Sequence, residues 1–549
     1  MKAALNKKTV FNLIKKRIND NELEEASNML GSPIEEINKE EIIIEVTPNR
    51  PDLLSEQGYS RALNAFLGYK KGLVKYNSYN SNEKVIIEDS VKDARPYTAC
   101  AIVKDLRLDE EKIKEIINLQ EKLHLTFGRN RKKAAIGIYP YEKIKTPIRY
   151  LALDHDKIKF IPLNSNTIMS ADEILENHPK GKEFSHLLKN YEKYPLFIDA
   201  NNNILSMPPI INSKETGEVV FTTKDVFIEC SGYDFNTLNK CLNIIATSLA
   251  DMGGKIYAME LVYGNKKYIT PDLKNEEIKI NVNNVNNLLG LNLNENEIKE
   301  CLEKLGYNYN NKKVLVPCYR TDIIHENDII EDIAIGYGYD KFIPEIPNIA
   351  TSAEEDKFEI FKEKIREILA GLNLLECYSY VISNEKDQNN NMMLENNLVF
   401  LANSLNQDYN SLRYSIIPNL LKILSENQHN EYPQNLFEIG KVFRKGISET
   451  NVIEDDKVSV VLCHNKSDFT QIKQILDSLL NILNLKYEIN ELEHESFIPG
   501  RIGEIILNNK NIGYLGEIAP VVLNNFNLEM PVSCLELNLD EIFKLLKND

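Results

Sequence analysis

The chain has 549 residues, of which 43% are hydrophobic and 27% are charged, and its formal net charge is −17. This length predicts roughly three to five domains, because single hydrophobic cores stop growing well below it. The acidic balance excludes a protein coated broadly with nucleic acid, and it leaves RNA contact to a local basic patch or to a second subunit. No run approaches the ~18 apolar residues of a membrane helix.

The eight cysteines are scattered, and none form a CxxC pair. That spacing argues against a disulfide framework or a zinc site and predicts a reducing compartment. The first residues show neither an apolar segment nor a cleavage site, so no export signal is predicted. We therefore expect a cytoplasmic protein with no membrane partner.

Residues 1–75 are predicted to form an N-terminal α/β domain. Pro48 and Pro51 fix the backbone of a turn, and Asp52 is well placed to cap the helix that follows. The polar segment 76–82 reads as a linker. The predicted elements are a helical stretch over 10–30, a strand over 42–46 and a helix over 53–67.

Residues 83–265 mix strands and helices, according to their hydrophobic periodicity. Strands are predicted over 86–87, 99–103, 134–138, 219–221 and 226–228, and helices over 109–123 and 236–250.

Two further blocks follow. Residues 266–347 combine helices with short strands, which is typical of a small winged-helix-like module, and residues 348–549 resemble a large α+β domain. In the third block, strands are predicted over 278–280 and 314–317, and helices over 282–289, over 295–305 and from about 328. In the fourth, a helix is predicted over 357–372 and strands over 436–439 and 505–507.

An acidic run carries the densest chemical signal. Asp328, Glu331 and Asp332 share one helix face by their spacing, and Asp322 precedes that helix. Carboxylates this close repel one another, and a hard cation such as Mg²⁺ would relieve the repulsion. A solvated acidic face that begins with a capping aspartate explains the same spacing.

The run from Arg320 to Asp332, followed by Tyr337-Gly338-Tyr339, resembles the B5 domain of phenylalanyl-tRNA synthetase beta subunits. Asn49-Arg50-Pro51-Asp52-Leu53-Leu54-Ser55 resembles a signature near the start of the same family. The resemblance implies that Mg²⁺ binds to Asp322, Asp328, Glu331 and Asp332. It also implies that this ion has a structural role where an alpha subunit meets the beta subunit.

Residues 122–137 and 160–163 are similar to the B3/B4 domain of the archaeal and eukaryotic members, which hydrolyses tRNA wrongly charged with tyrosine. Such a second site is useful because an apolar pocket rejects an added hydroxyl poorly. The resemblance places the editing pocket at 205–213 and 230–234. Its candidate catalytic residues are Asn212, Ser213 and Asp234.

Arg129, Arg131, Lys132 and Lys133 form the clearest basic cluster in this acidic chain. The cluster fits contact with an RNA backbone, and it fits a solvated turn equally well.

Segments of the last block, such as 411–413, 436–440 and 497–501, resemble the family's class II catalytic-like domain. An adenylate-forming site needs arginines that clamp ATP phosphates. The sequence Phe437-Glu438-Ile439 lacks an arginine before the glutamate, and no arginine ends Gly516-Glu517-Ile518-Ala519-Pro520. This domain is therefore predicted to be degenerate and to serve for dimerisation and docking.

Together these features predict an α+β multidomain protein with an N-terminal α/β module, a B3/B4-like editing domain, a winged-helix-like B5 domain and a degenerate class II synthetase-like domain. The resemblance implies an α2β2 assembly with the alpha subunit. That assembly would use ATP and Mg²⁺ to join L-phenylalanine to tRNA(Phe). A free-standing hydrolase of mischarged tRNA is the alternative, and a metal-stabilised RNA-binding module is a third.

Overall fold

The structure, a computed structural model, describes residues 1–547 of the chain. It divides into two compact units, one spanning Met1–Ile346 and the other beginning at Pro347. In the part of the chain that the structure describes, no helix has the length and apolar character needed to cross a membrane.

The first unit opens with a three-stranded antiparallel sheet and its helices. The elements are β1 (Lys2–Asn6), α1 (Lys7–Leu13), α2 (Asp20–Met29), β2 (Ile34–Ile37), β3 (Glu41–Glu45) and α3 (Glu56–Phe66), with strand order β1–β3–β2. The stretch 10–30 is two helices rather than one, because Asn19 starts α2 with a capping box. The cap of α3 is Ser55, not Asp52, and its Oγ accepts the Gly58 backbone N–H at 3.1 Å.

A large mixed sheet follows and forms the centre of this unit. Its elements are β4 (Ser78–Ile87), β5 (Tyr97–Lys104), α4 (Glu110–Leu125), β6 (Ala134–Pro140), β7 (Ile148–Asp154), β8 (Lys159–Phe160), β9 (Met169–Ser170), α5 (Ala171–Asn177), α6 (Pro179–Phe184), β10 (Lys193–Ile198), β11 (Ile204–Met207), β12 (Ile211–Asn212), α7 (Lys214–Gly217), β13 (Val226–Gly232), α8 (Phe235–Asp251), β14 (Lys255–Tyr263) and β15 (Lys266–Thr270). The strand order of the large sheet is β12–β11–β10–β7–β4–β14–β5–β13–β6, and β15 pairs with β14. Strands β8 and β9 form a separate two-stranded sheet. Strand β13 is wholly buried between β5 and β6, and β6 is an edge strand.

Two predictions about this region are wrong. The polar segment 76–82 is not a linker, because β4 starts at Ser78 and pairs in parallel with β14. A shift in that pairing accommodates the left-handed Asn82, and the Ser81 hydroxyl donates to the Ala258 carbonyl at 2.5 Å. Residues 219–221 are irregular rather than a strand.

A small helical module with a three-stranded sheet completes the first unit. Its elements are β16 (Glu276–Lys279), α9 (Val282–Leu289), α10 (Glu295–Lys304), β17 (Asn308–Asn310), β18 (Lys313–Val316) and α11 (Glu326–Tyr337), with strand order β16–β18–β17.

The second unit is a seven-stranded sheet with helices on both faces. Its elements are α12 (Lys357–Gly371), β19 (Leu375–Glu376), β20 (Ile382–Ser383), β21 (Ser411–Leu412), α13 (Ile417–Glu426), β22 (Gln434–Lys445), β23 (Val452–Cys463), α14 (Phe469–Ile482), β24 (Glu488–Glu491), β25 (Phe497–Leu507), β26 (Lys510–Ile518), α15 (Pro520–Asn525), β27 (Val532–Asn538) and α16 (Leu539–Lys547). The sheet order is β19–β22–β23–β27–β26–β25–β24. Val458 and Val460 join the core beneath α14, whereas Val461 and Cys463 join the core beneath α13, as strand alternation requires.

Candidate functional site

A cavity of about 470 Å³ lies beside edge strand β6 and helix α4. Because the strand has no neighbour on its outer side, residues from both faces of the sheet can line the space. The walls are mostly apolar, and the segment from Ser206 to Asn212 closes one side. The apolar lining includes Ile113, Ile116, Ile117, Ile136, Ile138, Pro208, Pro209 and Val219.

Glu229 is a buried acidic group in the cavity wall, and it forms no ion pair with any described residue. It lies in the middle of buried strand β13, in register with Gly137 of β6. Its Oε1 accepts the Tyr139 hydroxyl at 3.1 Å, and its Oε2 has no hydrogen-bond partner among the described residues. Burial raises the pKa of this carboxyl to about 8. At neutral pH this buried carboxyl in the cavity wall is therefore uncharged, and one of its oxygens has unused hydrogen-bonding capacity.

Glycine at position 137 makes room for this group. A Cβ atom there would lie 2.1 Å from the Tyr139 hydroxyl oxygen and 2.6 Å from Glu229 Oε1. Any side chain would force both groups away from the cavity wall. The requirement is for space, since the backbone of Gly137 is ordinary β-strand.

Glu121, His124 and Arg131 form a second polar set in the wall. His124 Nδ1 lies 3.2 Å from Glu121 Oε1, and its Nε2 accepts the Ile136 backbone N–H at 2.8 Å, so Nδ1 carries the proton. Arg131 donates to Glu121 at 2.9 Å and to the Ile210 carbonyl at 2.8 Å. The hydrogen bond from His124 lowers the pKa of Glu121 to about 2, with Arg131 contributing, and burial lowers the pKa of His124. Both ring nitrogens of His124 are occupied, so this set supports the wall and leaves no free base.

The structure separates the three predicted editing residues. Asn212 lines the cavity, and its Oδ1 lies 3.4 Å from the Tyr139 hydroxyl. Ser213 is buried next to it, and its backbone N–H donates to the Leu205 carbonyl at 2.7 Å. Asp234 does not line the cavity, because it lies beyond the end of β13 and caps α8 by accepting the Thr237 N–H at 2.7 Å. The roles of Asn212, Ser213 and Asp234 in hydrolysis all stay predictions.

Glu229 was missed by sequence reasoning, although a signal was present. It is the single charged residue in the run Val226-Phe227-Ile228-Glu229-Cys230, which otherwise reads as a buried strand. A charge in such a strand indicates either a partner or a function.

The four carboxylates predicted to hold magnesium have different surroundings. Arg320 is fully buried and donates twice to Asp322, at 2.8 Å each, while its Nη1 lies 2.8 Å from Asp332. Asp332 also accepts the Tyr307 hydroxyl. Asp328 accepts the backbone N–H groups of Ile324 and His325, both at 2.8 Å.

Glu331 is exposed on the outer side of α11. Across residues 1–547, no group of three or more histidine, cysteine, aspartate or glutamate side chains is placed to hold a metal ion. As placed, the four residues do not fit a magnesium site within this chain, because Asp322 and Asp332 both already pair with the Arg320 guanidinium.

The two most specific sequence motifs meet in space. Thr321 Oγ1 lies 3.5 Å from the Asn49 carbonyl, and Asn49 Nδ2 lies 3.4 Å from Asp322. In the N-terminal turn, Arg50 pairs with Asp52 through two hydrogen bonds of 2.9 Å. The function of Asp52 is therefore to hold Arg50 rather than to cap α3.

Comparison with known proteins identifies the family. The chain is 43% identical over 502 residues to the phenylalanine–tRNA ligase beta subunit of Thermococcus sibiricus, with 90% of each chain covered. It is also 43% identical over 502 residues to the beta subunit from Pyrococcus horikoshii, again with 90% of each chain covered. The chain belongs to the phenylalanine–tRNA ligase beta-subunit family. The family predicted from the sequence is thereby confirmed.

Family models and a solved structure agree with this assignment. The model described as "tRNA synthetase B5 domain" matches residues 278–339, and "Phenylalanyl tRNA synthetase beta chain CLM domain" matches residues 343–539. A crystal structure of an N-terminal fragment of the Pyrococcus horikoshii phenylalanyl-tRNA synthetase beta subunit is 41% identical. It covers 61% of this chain and 99% of that chain, with a TM-score of 0.59.

In the CLM-matching unit, the charged groups bind one another. Arg413 and Glu438 are buried, with Arg413 Nη1 2.5 Å from Glu438 Oε1. A Cβ on Gly440 would lie 2.2 Å from Arg413 Nη2, so glycine leaves room for the guanidinium. Arg444 pairs with Asp455 at 3.0 Å. The guanidinium groups of both arginines therefore pair with carboxylates of the same unit.

Proposed function

We propose that this chain acts as the beta subunit of phenylalanine–tRNA ligase and hydrolyses tRNA(Phe) wrongly charged with tyrosine. The observation that supports the hydrolytic role is the uncharged, partly unsatisfied carboxyl of Glu229 in an apolar cavity. Aminoacylation itself, which joins L-phenylalanine to tRNA(Phe) with ATP, is assigned to an alpha subunit in an α2β2 assembly.

The cavity distinguishes a phenol from a phenyl ring. In this proposal either ring lies among the isoleucine and proline side chains, and only a tyrosyl hydroxyl bonds to Glu229 Oε2, which has no partner among the described residues. A phenylalanyl ring would leave that buried oxygen without a partner, which costs about 1–3 kcal/mol. Discrimination by a site that hydrogen-bonds a hydroxyl is far stronger than discrimination by apolar contact alone.

Hydrolysis requires the ester carbon to be held where water can attack. Water adds to that carbon, the bond to the ribose oxygen breaks, and free tyrosine and the ribose hydroxyl of the tRNA are released. The side-chain amide of Asn212 lines the same cavity and can orient the water or the ester oxygen. His124 is not assigned as the base, because both of its nitrogens are bonded.

The second unit supports the division of labour between two subunits. Clamping ATP phosphates requires free arginines, whereas Arg413 and Arg444 are bonded to Glu438 and Asp455. A docking role for this unit fits its exposed aromatic and aliphatic side chains. Leu375, Tyr378, Tyr380 and Phe400 are each at least half exposed.

Co-expression with an alpha subunit tests the proposal. The two chains are expected to co-purify at the mass of two copies of each, measured by light scattering with the chains identified by mass spectrometry. A chain that stays monomeric and hydrolyses tyrosyl-tRNA by itself would instead fit the free-standing hydrolase.

Magnesium binding by Asp322, Asp328, Glu331 and Asp332 stays a prediction of the resemblance. In the isolated chain, Asp328→Ala is expected to lower the free energy of unfolding by about 1 kcal/mol, because the carboxylate caps α11. We expect the same loss with and without millimolar magnesium, since two of the four groups already pair with Arg320. Thermal unfolding of both proteins in each buffer measures this.

Asp340→Ala, at an exposed carboxylate beyond α11, is the control and is expected to change little. A saturable, magnesium-dependent rise in the wild-type Tm that disappears in Asp328→Ala would contradict the expectation. That result would show that the ion binds this chain alone.

A further inference from the structure

A second, separate groove lies in the first unit, between the N-terminal turn and the basic loop. Its volume is about 300 Å³, and its walls include Pro48, Pro51, Phe127, Arg129 and Lys133. It shares no lining residue with the Glu229 cavity. The loop from Thr126 to Lys133 connects the two spaces, because Arg131 of the same loop lines the cavity.

An unusual backbone places the side chains of this loop. Arg129, Asn130 and Arg131 have φ values of +49°, +53° and +64°, three successive left-handed residues without a glycine. Such residues are unfavourable individually and persist where the surroundings hold them. The backbone bond from Lys133 N–H to the Gly128 carbonyl, 2.8 Å, closes the loop. As a result, Arg131 is buried against the cavity wall, while Arg129 is exposed beside the groove.

The groove combines cations with an aromatic surface. In the described part of the chain, Arg131 pairs with Glu121, whereas Arg129, Lys132 and Lys133 form no ion pair. Lys133 Nζ lies 5.3 Å from the centre of the Phe127 ring. In a chain with a net charge of −17, unpaired cations at one point favour a local anionic ligand.

We propose that this groove binds a nucleotide of the single-stranded 3′ end of tRNA, just upstream of the esterified nucleotide. The base lies against Phe127 and the two prolines, and the phosphate lies between Arg129 and Lys133. Proteins bind single-stranded RNA by this combination of stacking and backbone cations. The inference rests on the proposed hydrolysis, because the neighbouring cavity would hold the terminal ester.

A pair of matched variants tests the groove in the complete alpha–beta complex. Arg129→Asn/Lys133→Gln removes both groove cations, and asparagine tolerates the left-handed backbone at position 129. Lys132→Gln, on the same loop but outside the groove lining, is the control. The substrates are tyrosyl-tRNA(Phe) and tyrosyl-adenosine, which carries the ester but lacks every upstream phosphate. Binding of uncharged tRNA(Phe) is measured alongside.

The double variant is expected to raise KM for tyrosyl-tRNA and Kd for uncharged tRNA by roughly 10-fold, with less steep salt dependence. Its hydrolysis of tyrosyl-adenosine and its kcat are expected to stay within twofold of the wild type. Phe127→Leu is expected to raise KM several-fold, because a stacking surface is lost.

Three results would overturn the inference. If the double variant and Lys132→Gln changed KM and Kd equally, the contribution of the groove would be no more than general electrostatic attraction of tRNA. If the double variant bound tRNA as tightly as the wild type, the groove would not bind tRNA. If the double variant also lost hydrolysis of tyrosyl-adenosine, the substitutions would have disturbed the cavity wall. If the proposed hydrolysis itself were wrong, the wild type would hydrolyse neither tyrosyl-tRNA nor tyrosyl-adenosine. The Kd values for uncharged tRNA would still test the groove in that case.

Discussion

Replacing Glu229 by alanine is expected to slow hydrolysis of tyrosyl-tRNA(Phe) by roughly 10- to 100-fold, the effect of losing a buried hydrogen bond worth about 1.4–2.8 kcal/mol. Charging of tRNA(Phe) with phenylalanine is expected to be unchanged, because Glu229 lies in the wall of a different site. Glu229→Gln keeps the shape and neutral charge of the protonated acid, and it is expected to slow hydrolysis of tyrosyl-tRNA(Phe) less than fivefold. Single-turnover deacylation and ATP-dependent charging, measured on the same complex, check both statements.

Asp234→Asn is the matched control, since asparagine keeps the cap of α8 while removing the charge. The structure predicts a much smaller loss of hydrolysis from this variant than from Glu229→Ala. If Asp234→Asn were the more damaging of the two, the hydrolytic site would have to lie at the start of α8.

The raised pKa of Glu229 also predicts a pH dependence. The folded protein keeps this proton up to about pH 8, whereas the unfolded chain releases it near the ordinary value of 4.5. The folded state therefore binds more protons between these values, and its stability falls as pH rises through them. Between pH 6 and pH 8, wild-type stability is expected to fall relative to Glu229→Gln by on the order of 2 kcal/mol, measured by urea unfolding.

Arg320→Met is expected to be the most destabilising change near the acidic run, lowering the free energy of unfolding by about 3–5 kcal/mol. Removing one member of a buried ion pair leaves its partner uncompensated, and Arg320 serves both Asp322 and Asp332. Lys313→Met, which breaks an exposed pair with Glu277 in the same module, is expected to cost less than about 1 kcal/mol.

Neutralising both aspartates, as Asp322→Asn/Asp332→Asn, is expected to restore much of the stability lost in Arg320→Met. Urea unfolding of the single, double and triple variants gives these differences. An Arg320→Met protein as stable as the Lys313→Met protein would mean that the carboxylates have another counter-ion, and the magnesium prediction would then gain support.

Local patterns predicted much of the fold. The helix over 282–289 matches α9, and the strand over 99–103 lies within β5, because hydrophobic period and turn residues determine such elements. The end of strand β4 was predicted, over 86–87, but its start was not predictable in the same way. Four of its first five residues are serine or asparagine, with Tyr79 the exception, and their strand conformation depends on pairing with β14, far along the chain.

The candidate site shows the same limit. The resemblance placed the editing pocket at 205–213 and 230–234, and of the three candidate residues Asn212 lines the cavity. Which acid faces that cavity depends on the register of β13 with β6, which pairs Glu229 with Gly137. Similarly, the Arg320–Asp322 spacing is visible in the sequence, whereas the bond from Tyr307 to Asp332 requires α11 to pack beside α10, which ends just before Tyr307.

The most direct test of the account is to assay charging and deacylation with this chain alone, with the alpha subunit alone and with the two combined. The account predicts ATP-dependent formation of phenylalanyl-tRNA(Phe) only in the combination. It also predicts that the combination hydrolyses tyrosyl-tRNA and that Glu229→Ala slows this hydrolysis by roughly 10- to 100-fold while sparing charging. Charging by this chain alone, or tyrosyl-tRNA hydrolysis that persists unchanged in Glu229→Ala, would contradict it.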